Sequence, residues 1–327
     1  MTSLNKPTVK YIVDFLEYCE IEKGLSVKTV ENYDRFLKPF VRWLEKHGIA
    51  DLSPSELSKR HIWDYRIHLA RVTDKHGKLL KKSTQNYYLI ALRALLSFFA
   101  ERDIISLPPE KIKLAKEDPR GAVGAEMGRL KFLNLDQVKD LLAAPNTKTI
   151  QGLRDRAILE TLFSTGLRVS ELAGLNMSQF NFSSLKGNPF KDLELSVTGK
   201  GGRSRNVFFS ARAVEWIIKY LDARNDDSPA ALFVTHHRGG KKPGRLSVRS
   251  IQKAVENLRR RAGLSVYATP HTLRHSYATD LLEQGVDLRL IQEFLGHKNI
   301  VTTQIYTHVT NKKLRDIHRE KHGGRKL

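Results

Sequence analysis

Residues 270–309, PHTLRHSYATDLLEQGVDLRLIQEFLGHKNIVTTQIYTHV, decide the fold class of this chain. PHTLRHSYATDLLEQG reads as a helix opened by Pro270, because proline is tolerated where the first N–H has no partner. DLRLIQEFLG reads as a second helix, with Gly296 as the residue that stops it. On the first helix His271 and Arg274 stand three residues apart, so both side chains emerge on one face. His297 directly follows the stop, and Tyr306 comes nine residues later in a short helix beginning near Asn299.

Working outward, the pattern stays helical except in the middle. DLELSVTG alternates Leu193, Leu195 and Val197 inward, and NVFFS returns after a turn at Gly199–Gly202, which is the signature of a hairpin. Upstream, Asn134 or Asp136 opens DQVKDLLAAP, and LRDRAILETLFSTG closes at Gly166. The first hundred residues carry four amphipathic helices. YIVDFLEYCEIEKG ends at Gly24. The next has Ser26 as its N-cap, apolar Val30, Tyr33, Phe36, Leu37, Phe40, Val41 and Leu44, a potential kink at Pro39 and a stop at Gly48. A third spans 54–71. The fourth starts at a Ser83 cap, with Tyr87, Ile90, Ala91, Ala94, Leu95 and Phe98 on one side. Between them and the rest, LPPEKIKLAKEDPRGAVGAEMGRL is rich in proline, glycine and charge and reads as an extended linker. The expectation is an all-α helical bundle over 1–104, a linker over 105–130, and a mixed α+β domain over 131–327, mainly helical with a small antiparallel sheet. No internal repeat is visible.

Composition narrows the function classes. The 56 basic and 35 acidic side chains give a net charge of +21, which calls for a polyanionic partner, nucleic acid before an anionic membrane surface. Residues 236–261 hold nine Lys or Arg against one acid, Glu256, so the charge is concentrated as on a docking surface. Cys19 is the only cysteine, which excludes an intrachain disulfide and a thiolate cluster and fits a reducing compartment. With neither a leader pattern nor an apolar run of ~20 residues, a cytoplasmic protein off the membrane is expected.

Taken alone, each polar residue has an ordinary explanation. His275 lies four after His271, the spacing of a zinc-binding helix, but Thr272 stands where a zinc protease places its glutamate, so an anion site with Arg274 is the better reading and no metal is expected. Arg168, after the stop at Gly166, resembles a solvated surface residue until Glu171, one turn on, is seen as a group able to orient it. Lys200 in TGKGGRSR reads as a turn cation, with Arg203 and Arg205 nearby. His297 reads as a helix cap and Tyr306 as a core tyrosine.

The order and wording of TGLRVSEL, TGKGGRSRNV, HTLRH, LGHKN and TTQIYTHV resemble the tyrosine recombinase (integrase) family over most of the chain. The resemblance implies a DNA strand-transfer site. Arg168 and Arg274 bind the scissile phosphate, His271 and His297 assist, with His271 a candidate base. Lys200 protonates the leaving 5′ oxygen, and Tyr306 forms a 3′-phosphotyrosine; Glu171 supports Arg168. It implies a DNA clamp in which N-terminal helices carrying Lys28, Thr29, Tyr33, Lys81, Lys82, Ser83, Asn86 and Arg93 lie in the major groove. A later helix carries Arg245, Ser247, Arg249 and Gln252 toward phosphates and base edges. No cofactor is expected. The partner is a double-stranded recombination site, held by a homotetramer or a heterotetramer with a related recombinase. Because the chain starts directly at the helical domain, the compact Xer type, which resolves chromosome dimers, is favoured over an integrase of a phage, transposon or other mobile element. A type IB topoisomerase-like enzyme and a non-catalytic DNA-binding protein are the readings from other classes.

Overall fold

A computed structural model describes residues 6–73, 77–115, 132–181, 193–199, 204–224, 230–236 and 243–296. The chain divides into two compact units, Met1–Ala125 and Glu126–Leu327. In the first, α1 (Tyr11–Ile21), α2 (Val27–Lys46), α3 (Lys59–Arg71) and α4 (Lys82–Glu101) form the expected helical bundle. Helix α2 is continuous through Pro39, and Ser26 occupies its N-cap position, although its hydroxyl meets Thr29 Oγ1 at 2.9 Å rather than a backbone N–H. Two expectations need correction. Helix α4 begins at Lys82, with Lys81 at the N-cap, so Ser83 lies inside the first turn. Its buried surface is also wider than the expected side: Ala91, Leu95 and Phe98 are buried as expected and Ala94 packs beside them, Leu89, Leu92, Leu96 and Phe99 are buried as well, and only Tyr87 and Ile90 of the expected side are exposed, at 54% and 40%. The cause is packing on several sides, since α1, α2 and α3 all contact α4. Tyr87 instead lies flat on Phe36, ring centroids 5.5 Å apart. The core is aromatic, with Tyr11 edge-on to Phe99 at 5.3 Å and Phe40 edge-on to Tyr65 at 5.0 Å.

Residues 105–115, assigned above to the linker, pack on this first unit. Ile112 is fully buried, Arg93 donates to the Ile112 carbonyl, and Asn86 brackets Ala115 by accepting from its N–H at 2.9 Å and donating to its oxygen at 3.1 Å. One buried isoleucine and three side-chain bonds outweigh the proline-rich wording of the segment. The rest of the expected linker, 116–130, lies outside the described residues.

The second unit is built around α6 (Ile150–Thr165), which is buried on nearly every side by α5 (Leu135–Ala143), α8 (Ala211–Ala223), α10 (Pro270–Glu283) and the sheet. Asn134, not Asp136, caps α5: its side chain accepts from Gln137 N at 2.8 Å and Gln137 returns the bond. The buried charge of Glu160 on α6 is met by Arg156 and Arg212, both at 2.8 Å. Gly152 allows the close approach of a neighbouring loop, because a Cβ there would sit 1.9 Å from Asn146 O. Strands β1 (Leu193–Thr198) and β2 (Ser204–Phe209) pair antiparallel, Leu195 opposite Val207 and Val197 opposite Arg205. Leu195, Val197, Val207 and Phe209 are buried and Leu193 packs beside them, as the alternation anticipates. Helices α7 (Val169–Gly174), α9 (Val248–Arg261) and α11 (Leu288–Leu295) complete the described part of the unit.

Candidate active site

The stops of two helices and the start of a third converge. Gly166 ends α6 and Gly296 ends α11, both in the left-handed conformation that only glycine adopts without strain. Arg274, on the first turns of α10 and 4% exposed, lies across both ends, donating from Nη1 to Gly166 O at 2.6 Å and from Nη2 to Leu295 O at 2.5 Å. Such carbonyls have no partner within their helices and form the negative pole of each, so a guanidinium is the natural cap. Arg168, at the N-cap of α7, reaches the same place, with Nη2 on Gly296 O at 3.0 Å. Two guanidiniums thus stand side by side, one buried and one with a third of its side chain open to solvent. Two guanidiniums so placed are chemically suited to hold an anion between them.

Glu171 holds Arg168 as expected, accepting from its Nη1 at 2.9 Å and from its backbone N–H at 2.8 Å. The same carboxylate also takes Arg205, Nη1 at 3.0 Å and Nη2 at 2.7 Å. Burial alone would raise the Glu171 pKa. The Arg205 hydrogen bonds, the Arg168 N–H and the two positive charges outweigh it and hold the carboxyl at about 2. In the sequence Arg205 stands only as a cation near Lys200, with no ion pair assigned to it. A signal existed: Arg205, Val207 and Phe209 share one face of β2, so the period of two already points Arg205 toward the core.

His271 lies on the same helix face as Arg274, and its Nε2 is 2.8 Å from Nε2 of His275. One of these nitrogens must donate and the other accept, so the pair carries at most one positive charge. His271 is exposed as a residue, yet the protein around it, then Arg274 and Arg168, lower its pKa, which favours the neutral ring. Lys200, His297 and Tyr306 lie outside the described residues. Among those described, no cluster of three or more His, Cys, Asp or Glu is arranged to hold a metal, and no helix is long and apolar enough to cross a membrane.

The expected DNA-contact residues fall into two groups. Lys28, Lys81, Lys82 and Ser83 are exposed and Thr29 half-exposed at the starts of α2 and α4; Ser247, Arg249 and Gln252 are exposed at the start of α9, where Ser247 caps the helix by accepting from Ser250 N at 3.1 Å. The others also have partners within the protein. Asn86 and Arg93 hold residues 112–115, and Tyr33 packs edge-on against Phe15 at 5.4 Å. Arg245 caps α7 by donating to Ala173 O and Leu175 O, at 2.8 and 3.1 Å.

The chain is similar to known proteins along most of its length. The phage integrase family model matches residues 131–313, and the phage integrase N-terminal SAM-like domain matches 12–103. The tyrosine recombinase XerD of Listeria monocytogenes serotype 4b (strain F2365) is 35% identical, covering 95% of this chain and 98% of its own length. The tyrosine recombinase XerC of Pelobacter propionicus is 36% identical, over 97% of this chain and 96% of its own. The crystal structure of the XerH site-specific recombinase bound to palindromic difH substrate, a post-cleavage complex, superposes with a TM-score of 0.70 at 22% identity, covering 96% of both chains, and so shares the fold. One family model spans more than half of the sequence and the relatives match it nearly end to end: the chain belongs to the phage integrase family of tyrosine recombinases, enzymes that cleave and rejoin DNA.

Proposed function

We propose that this chain is a site-specific recombinase that exchanges strands through a phosphotyrosine on Tyr306, in an Xer-like role resolving chromosome dimers in the cytoplasm. The observation that carries the chemistry is the pair Arg168 and Arg274, brought from separate elements to adjacent carbonyls at the end of α11, one residue before His297. In this reading the Tyr306 oxygen bonds to phosphorus as the P–O5′ bond breaks, leaving a 3′-phosphotyrosine and a 5′-hydroxyl. A 5′-hydroxyl from a partner strand then attacks and expels the tyrosine. Each step exchanges one phosphoester for another, so no ATP is consumed. Arg168 and Arg274, with His297 donating, neutralise the charge that builds on the non-bridging oxygens. A tyrosine pKa of about 10 requires proton loss during attack, and neutral His271 is suited to receive it. Lys200 protonates the leaving oxygen. No cofactor takes part.

We further propose the division into a core-binding domain over 1–104, a linker over 105–130 whose first part, 105–115, lies against that domain, and a catalytic domain over 131–327. The groups proposed to touch DNA are Lys28, Thr29, Lys81, Lys82 and Ser83 on the first, and Ser247, Arg249 and Gln252 on the second. Exchange between two duplexes cuts four strands and needs four nucleophiles, so a tetramer, of this chain or with a related recombinase, is the working assembly. The Xer role rests on the near full-length likeness to XerD and XerC proteins. Integration of a mobile element uses the same chemistry, and sequencing the DNA held in denaturation-resistant adducts, a chromosomal site or an element end, separates the two. Tyr306→Phe tests the chemistry: it should abolish adduct formation and leave site binding nearly intact. An adduct mapped to Tyr33, Tyr267 or Tyr277 would overturn the assignment.

A further inference from the structure

Three successive carbonyls at the end of α11 accept from three different arginines. Phe294 O takes Arg205 Nε at 3.1 Å, Leu295 O takes Arg274 Nη2 at 2.5 Å, and Gly296 O takes Arg168 Nη2 at 3.0 Å. The function proposed above gives work to the last two and none to Arg205. Yet Arg205 makes three hydrogen bonds to two other elements: it lies on β2, spans to Glu171 on α7 and to the end of α11, and its side chain is 10% exposed.

We propose that Arg205 is a positioning residue for Arg168. A carboxylate offers about four lone-pair sites. Glu171 Oε1 accepts from Arg168 Nη1 and Arg205 Nη1, and Oε2 from Arg168 N and Arg205 Nη2, so four bonds fill it. With Arg205 present, Glu171 takes only one guanidinium N–H of Arg168. Without Arg205, the carboxylate is open to a two-bond pair with Arg168, the geometry such groups favour, and that pair withdraws N–H groups from an incoming phosphate. Arg205 also fixes where α11 ends against the hairpin. The fit is close, because a Cβ at Gly296, where φ is +63°, would lie 2.9 Å from Arg205 Cδ. Lysine cannot substitute, since one ammonium lacks the planar fork that meets two carboxylate oxygens and a carbonyl together.

The inference rests on the reading of Arg168 as a ligand of the scissile phosphate, and the experiment separates the two. Single-turnover cleavage is measured on a suicide duplex built from the sequence recovered in covalent adducts, once with an ordinary scissile phosphate and once with a methylphosphonate. The methyl group removes the non-bridging charge that Arg168 serves. Arg205→Ala should cleave the ordinary duplex about 10²-fold more slowly, the scale of loss for a misplaced catalytic group, with site affinity close to wild type. On the methylphosphonate the deficit should largely disappear. Arg205→Lys, melting near the wild-type temperature, should behave in the same way and carries the test if Arg205→Ala does not fold. Equal slowing on both substrates would mean a purely structural role and overturn the proposal. So would normal cleavage by both Arg205 variants while Arg168→Ala is slow, which leaves the phosphate-binding reading standing. Normal cleavage by Arg168→Ala removes both.

Discussion

The ion-pair cluster around Glu171 yields a quantitative prediction. Its side chain is 5% exposed, and its carboxyl titrates at about 2 in place of an ordinary 4.5. That depression corresponds to roughly 3 kcal/mol of stabilisation of the folded state at neutral pH. Because the folded pKa lies below the unfolded one, the stabilisation is complete above the unfolded value and is lost as pH falls toward the folded one. By pH 3.5 it should have shrunk by about 1–2 kcal/mol. Glu171→Gln keeps the shape and removes the titration, so every other carboxylate cancels in the difference between the two proteins. Trp43 and Trp63 lie in the first unit and Trp216 in the second; with the first two replaced by Phe, Trp216 fluorescence follows the relevant unit. Urea unfolding should find Glu171→Gln about 3 kcal/mol less stable at pH 7, with the gap narrowing toward pH 3.5. A gap that is absent, or constant across that range, would refute the claim that the ionised carboxylate anchors the two arginines.

Lys200→Ala should slow cleavage of ordinary DNA about 10²–10⁴-fold and be largely restored when sulfur replaces the 5′ bridging oxygen, since a thiolate leaves without a proton. Rescue of Arg203 variants instead would move the acid to that residue. Site affinity should fall steeply with salt, by several orders of magnitude between low and moderate concentration for roughly 6–10 phosphate contacts; a nearly flat dependence would remove the proposed DNA contacts. Gly152→Ala, whose new methyl would collide with the Asn146 backbone oxygen, should destabilise the second unit by about 3 kcal/mol or more, and unchanged Trp216 unfolding would show that the loop yields.

Features that depend on neighbours a few residues apart are legible in the sequence. Helical spacing put His271 and Arg274 on one face, Gly166 and Gly296 marked two helix ends, and the alternation of Leu193, Leu195 and Val197 set the inward side of the sheet. Tertiary structure decided how groups far apart in sequence spend their hydrogen bonds. Asn86 and Arg93 carry the polarity of DNA contacts and instead hold residues 112–115, because buried backbone groups there require partners. Helix α4 buries more than the face its period suggests, adding Leu89, Leu92, Leu96 and Phe99, since α1, α2 and α3 pack around it. Above all, Glu171 is shared between Arg168, three residues away, and Arg205, thirty-four away. Local spacing reveals the first partner. The second is fixed only when the hairpin folds back onto the helix ends, since a buried carboxylate must find positive charge wherever the fold brings it.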